Sequence, residues 1–175
     1  MNLEQHPECD IYVEDEIAKT LLREIIVAHS SQLINRCLIV PYGAASVGQS
    51  LGQMVQGDRF PRPTRVYLDG DQPEMPGCIK LPGDDAPERV VFEGLAGIEW
   101  KDVAVRVGRS HSELSDACAR AMTFDEHHDW VRLAADDVTL AGHNLWQVMC
   151  AVWAKECLTT TQANKVVDPV REALA

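Results

Sequence analysis

Two clusters of acidic residues, each closing an apolar run, carry the chemistry available to this sequence. The first is Ile11-Tyr12-Val13-Glu14-Asp15-Glu16 and the second is Arg65-Val66-Tyr67-Leu68-Asp69-Gly70-Asp71. Each reads as a buried β-strand that delivers carboxylates to its C-terminal end. In open parallel α/β sheets, that is the end where sites form. Three or more carboxylates gathered in one place repel one another, and divalent cations relieve the repulsion. Oxygen donors of this kind suit Mg²⁺, or Mn²⁺ in its place. Such ions imply phosphodiester chemistry, because a pair roughly 4 Å apart clamps the attacking and leaving oxygens of an in-line displacement.

The residues between and around these clusters predict the elements that position them. Residues 9–13 form a first strand. Ile17, Leu21, Leu22, Ile25 and Ile26 recur at helical spacing and predict an amphipathic helix over 16–29. Residues 36–41 read as a second strand, stopped by Pro41 and Gly43. Ser46 is expected to cap a helix reaching about Gln56, closed by Gly57-Asp58. A third strand spans 64–68 and a short fourth spans 77–81. The alternation predicts right-handed βαβ units and hence an α/β fold, a Rossmann-like parallel sheet of about four strands flanked by helices. The second half is helical in pattern. Helices are expected over 87–96, with Pro87 at its start and Glu88 in its first turn, over 110–122 behind a Ser110/Glu113 capping box, and over 125–135, 145–158 and 168–174. The organisation read from this is a metal-binding catalytic unit over 1–95 and a helical extension over 96–175 packed on it.

Composition constrains the partners. A chain of 175 residues can bury about two-thirds of its unfolded surface. No apolar stretch reaches membrane-span length, and no basic segment followed by an apolar run opens the chain, so a soluble cytoplasmic protein is expected. The six cysteines make no C-x-x-C pair and read as reduced, mostly buried thiols. A net charge of −11 opposes non-specific binding to nucleic acid. Metal ions at the acidic site would cancel part of that charge, and a partner can supply affinity for DNA.

The motifs resemble a TOPRIM domain, the metal-binding catalytic fold of topoisomerases, primases and several nucleases. They look most like the C-terminal nuclease region of OLD-family ATP-dependent endonucleases. The resemblance rests on Val13-Glu14-Asp15-Glu16 after strand one, Pro41-Tyr42-Gly43 with Ser46-Val47-Gly48 after strand two, and Leu68-Asp69-Gly70-Asp71 after strand three. It implies a Mg²⁺- or Mn²⁺-dependent DNA endonuclease or nickase of a phage-defence or DNA-processing system, with one or two ions. By the same resemblance Glu14 is a metal ligand and general base, and Asp69 and Asp71 hold the ions, with Asp69 bridging them. A phosphoryl-transfer site gains from a cation near the transition state, for which Lys80, Arg109 and Lys155 are the candidates; the resemblance places a lysine in the helical extension. An ATPase partner is implied too, as a preceding domain or a separate chain. The sequence departs from the family in one place: the usual second glutamate of E-G-x-x-E is Ala18, with Asp15 at the glycine. Glu16 is the substitute considered for it.

Other residues carry patterns of their own. Glu88 follows strand four, opens a helix and is the favoured extra ligand for a second metal, ahead of Glu93. Asp84 and Asp85 read as solvated turn residues. The loop 43–48 suits either a phosphate or tight packing. It lacks the G-K-S/T of a Walker A loop, so ATP binding by this chain is not expected. His127 and His128, adjacent on an expected helix, should point in different directions and form no joint metal site. Trp130, Trp146 and Trp153 read as core. Two alternatives to the nuclease stand: a receiver-like module with an acidic pocket, and a catalytically silent interaction module acting with a partner protein.

Overall fold

The computed structural model describes residues 6–175, so the first five positions of the 1–95 unit lie outside the described residues. The sheet is built from β1 (Cys9–Val13), β2 (Cys37–Pro41), β3 (Thr64–Leu68) and β4 (Ile79–Lys80). All are parallel, in the order β2-β1-β3-β4, with Ile11 level with Ile39 on one side and Arg65 on the other. This is the α/β architecture the sequence predicts. Helix α1 (Glu16–Ser30) joins β1 to β2, and α2 (Ala45–Gln56) joins β2 to β3. The first crossover moves one way along the sheet and the second moves the other way, so right-handed connections place α1 and α2 on opposite faces. The strand order therefore reverses between β1 and β3. A crevice opens at such a reversal, at the carboxyl ends of the strands.

The helices α3 (Pro87–Gly97), α4 (Val103–Val107), α5 (His111–Ala121), α6 (Trp130–Asp137), α7 (Gly142–Glu156) and α8 (Thr160–Ala173) complete the chain. Helix α1 makes its most extensive packing against α7. The Trp146 indole N–H donates to the Ile17 carbonyl at 3.1 Å, and His29 Nε2 lies 2.9 Å from the Ala154 carbonyl. The two helices thus run alongside one another in the same direction. Ile11, Leu22 and Phe92 share one continuous core with Leu114, Trp146 and Val167, so the helical half and the sheet half bury the same apolar surface.

Several boundaries differ from the sequence pattern for identifiable reasons. Helix α2 begins at Ala45 with Ala44 as its cap residue, so Ser46 lies inside the helix and does not cap it. Residues 127–129 form a 3₁₀ turn ahead of α6, where a single α-helix over 125–135 is expected. The last helix starts eight residues earlier than position 168. Thr159 and Gln162 form a reciprocal capping box there, and Ala163, Val166, Val167 and Val170 lay a buried stripe through a stretch that reads as polar. Pro169 sits within it and its carbonyl accepts from Arg65 Nε at 2.8 Å. No helix among the described residues is long and apolar enough to cross a membrane.

Candidate metal centre

The two acidic clusters meet at the switch between β1 and β3. Val13 ends β1, so Glu14 emerges at the crevice. The next residue, Asp15, turns the chain into α1 and caps it, its carboxylate accepting from the Ala18 N–H at 2.8 Å. Glu14 is held from the neighbouring strand: the Gly43 N–H donates to the Glu14 carbonyl and the Tyr42 N–H to the Val13 carbonyl, both at 2.8 Å. Gly43 has φ +93°, which a side chain would strain. The Tyr42 hydroxyl reaches past β1 and donates to the Tyr67 carbonyl at 2.8 Å. One loop after β2 therefore fixes both strand ends that carry acid. The buried Tyr67 hydroxyl donates to Val166 in α8, so neither phenol is free to act as a nucleophile. Burial, then the charges of Glu14 and Asp69, push the Tyr42 phenol up.

Asp69 and Asp71 flank Gly70 after β3. A Cβ on Gly70 would stand 2.6 Å from the Asp85 carbonyl oxygen and 3.1 Å from its nitrogen. The D-G-D loop thus lies flush on the turn that leads into α3, and only glycine permits that approach. Gly70→Ala is expected to cost about 1–3 kcal/mol in urea denaturation and to weaken Mn²⁺ binding, because overpacking here displaces both aspartates. Unchanged stability and binding would show that the loop has room to move.

The electrostatics are those of acids that share one space. Burial, followed by Glu14, Asp15, Asp71 and Glu88, pushes the Asp69 carboxyl up to about 8. Glu14 is also raised, first by burial and then by Asp15 and Asp71, with His128 pulling the other way. Glu14 Oε2 and Asp69 Oδ1 are buried with no hydrogen-bond partner. Buried polar atoms are almost always satisfied, and two orphaned carboxylate oxygens facing like charges fit a cation. Asp71 is exposed at the rim.

Glu88 joins the same field from the first turn of α3 and is only 2% exposed. Its Oε1 lies 3.1 Å from His128 Nδ1. With His127 it forms a group whose metal-binding atoms all lie within 4.8 Å of one another, so the Glu88-His127-His128 cluster can hold a metal ion. The expectation that adjacent histidines diverge fails here. The segment is a 3₁₀ turn, and the two rings lie side by side with centroids 4.1 Å apart. The turn is held against α3 by Trp130, which packs 5.5 Å from Phe92 and donates to the Phe124 carbonyl at 2.8 Å, and by Arg89 stacked 5.4 Å over Trp130. His128 is raised on balance: desolvation is the largest effect and lowers it, but the hydrogen bond and charge of Glu88 outweigh that.

Glu16 and Lys155 lie away from the acidic crevice. Glu16 points to solvent from the first turn of α1, its side chain 77% exposed and 3.9 Å from Lys19, so it does not replace the absent second glutamate. Ala18, at that position, is completely buried in the core. Lys155 is exposed in the last turn of α7, beside the C-terminal end of α1. The 15 residues of α1, about 22 Å of helix, separate that end from Glu14. Lys155 therefore cannot serve the acidic crevice. Of the other cations, Arg109 caps the end of α6 through the Val138 and Thr139 carbonyls, and Lys80 pairs with Asp84 at 3.5 Å.

No protein-family model matches this chain, and neither a curated protein nor a solved structure does. The chemistry of the site is therefore read from its own residues.

Proposed function

We propose that this chain is a Mg²⁺- or Mn²⁺-dependent phosphodiesterase that nicks or cleaves DNA in the manner of an OLD-type TOPRIM nuclease, working in the cytoplasm with an ATPase partner. One observation carries the reading: Glu14 and Asp69 present buried, unpartnered carboxylate oxygens on either side of the strand-order switch. Glu14, Asp69 and the rim residue Asp71 would hold the metal, which supplies charge neutralisation at the phosphate and an activated water. The chain contributes position. Tyr42 and Gly43 lock the two strand ends, Gly70 seats the aspartates on the turn before α3, and Asp15 is spent on capping α1.

The test is nicking of supercoiled plasmid at low salt with Mg²⁺, Mn²⁺ or EDTA. The wild-type protein should nick only with metal, and Glu14→Gln should slow it about 100-fold or more, as expected for loss of a ligand that doubles as base. A protein that binds Mn²⁺ without nicking would require its ATPase partner. One that does neither would be the silent interaction module. That second reading draws its support from the buried Ala18 and from the distance of Lys155 from the crevice.

A further inference from the structure

The geometry points to a second metal site, made of Glu88, His127 and His128, that takes a transition-metal ion of the Zn²⁺, Co²⁺ or Ni²⁺ class and not Mg²⁺. The donor set is the first argument. Two imidazole nitrogens and one carboxylate oxygen form a mixed set that suits these ions, whereas Mg²⁺ demands oxygen ligands in near-octahedral geometry. Two histidines, a glutamate and an open fourth position is an established arrangement for zinc.

Spacing is the second. His128 Nδ1 and Glu88 Oε1 are 3.1 Å apart, and the third donor lies within 4.8 Å. Ligands about 2.0–2.1 Å from a tetrahedral ion stand roughly 3.3 Å from one another, so one edge of the polyhedron is already set and small side-chain rotations close the rest. The third argument is rigidity and vacancy of bonding. Glu88 is anchored in α3 and almost wholly buried, His127 Nε2 is buried without a partner, and the Trp130–Phe92 contact with its Arg89 lid ties the histidine turn to α3. Glu126 adds a hydrogen bond from the His128 N–H at 3.3 Å, fixing the turn.

This assignment moves Glu88 out of the all-oxygen site. The two sites then differ in kind: hard carboxylates at the β1/β3 switch, and a nitrogen-rich set on α3 and the 3₁₀ turn. The proposal does not depend on phosphodiester chemistry, since its readout is metal binding alone.

The experiment is titration of the full chain with Co²⁺, followed by visible absorption and calorimetry, with millimolar Mg²⁺ present. One equivalent of Co²⁺ should bind and give ligand-field bands that Mg²⁺ does not displace. His127→Ala and His128→Ala should each weaken it at least about tenfold, and Asp69→Asn, which removes a neighbouring charge but no ligand of this site, should weaken it far less. His128 is 66% exposed at its side chain, so its removal spares the core, and circular dichroism checks both variants. Wild-type affinity in both histidine variants, displacement by Mg²⁺, or equal loss in Asp69→Asn would overturn the assignment. A thiolate charge-transfer band surviving in the histidine variants would trace the binding to cysteine and overturn it as well.

Discussion

Asp69→Asn should abolish metal-dependent nicking and, in the absence of metal, make the protein more stable than wild type. Both effects come from one carboxyl. Its folded value is pushed up to about 8, chiefly by burial and then by Glu14, whereas an aspartate in the unfolded chain titrates near about 3.9. Below that lower value Asp69 is protonated in both states and burial carries no charge penalty. As pH rises toward about 8, the unfolded chain has given up the proton and the folded protein has not. Stability is lost across that window, by up to roughly 1.4 kcal/mol per pH unit, or at most about 5–6 kcal/mol in all. Glu14 is raised as well and adds a loss of the same sign. Asparagine carries no charge, so its variant keeps the stability that wild type sheds. Urea denaturation in EDTA at about pH 5 and about pH 8 should show wild type falling steeply and Asp69→Asn falling less. Saturating Mn²⁺ should then restore wild type by about 3 kcal/mol at a hundred times its dissociation constant, and leave the variant unmoved. A variant less stable than wild type at the higher pH would mean that Asp69 is held by interactions other than a waiting cation.

The parts of this molecule that are legible in sequence are those set by local period and strand-end chemistry. Strands β1 and β3 are the runs ending in acid, and α1 follows from five aliphatic residues at helical spacing. Glu14 and Asp69 could be placed in one crevice because a parallel sheet forces strand ends together. Glu88 was reachable on the same logic. The histidine pair was not. Its meaning depends on a 3₁₀ turn in place of an α-helical one, and on Phe92 meeting Trp130 across the fold; neither leaves a mark in residues 125–130 alone. Glu16 and Lys155 misled for a related reason. Both have the right chemistry, but direction around a helix and distance along it decided against them, and those follow from packing. The length of α8 was hidden because its buried stripe is alanine and valine set among polar residues.

Trp146→Ala should be the most damaging single change in the helical half, costing about 3–5 kcal/mol, and its effect should reach the sheet. Trp146 is 2% exposed and sits where α7 meets the N-terminal turn of α1, its indole N–H donating to Ile17. Ile17 lies three residues beyond Glu14 and within the first turn of the helix that Asp15 caps, so the tryptophan braces the platform on which the acidic crevice is built. Removing it opens a cavity in a core that both halves share, and α1 is the element most exposed to the collapse. Trp146→Phe keeps most of the packing and loses the hydrogen bond, so roughly 1–2 kcal/mol is expected. Denaturation followed by tryptophan fluorescence and by far-ultraviolet circular dichroism distinguishes a shared core from two independent ones. With a shared core the two signals stay coincident and shift together in both variants, and Mn²⁺ affinity falls along with stability in Trp146→Ala. If residues 96–175 folded as a separate unit, fluorescence and dichroism would part in the alanine variant, and Mn²⁺ binding at Glu14 and Asp69 would persist after the helical half had melted.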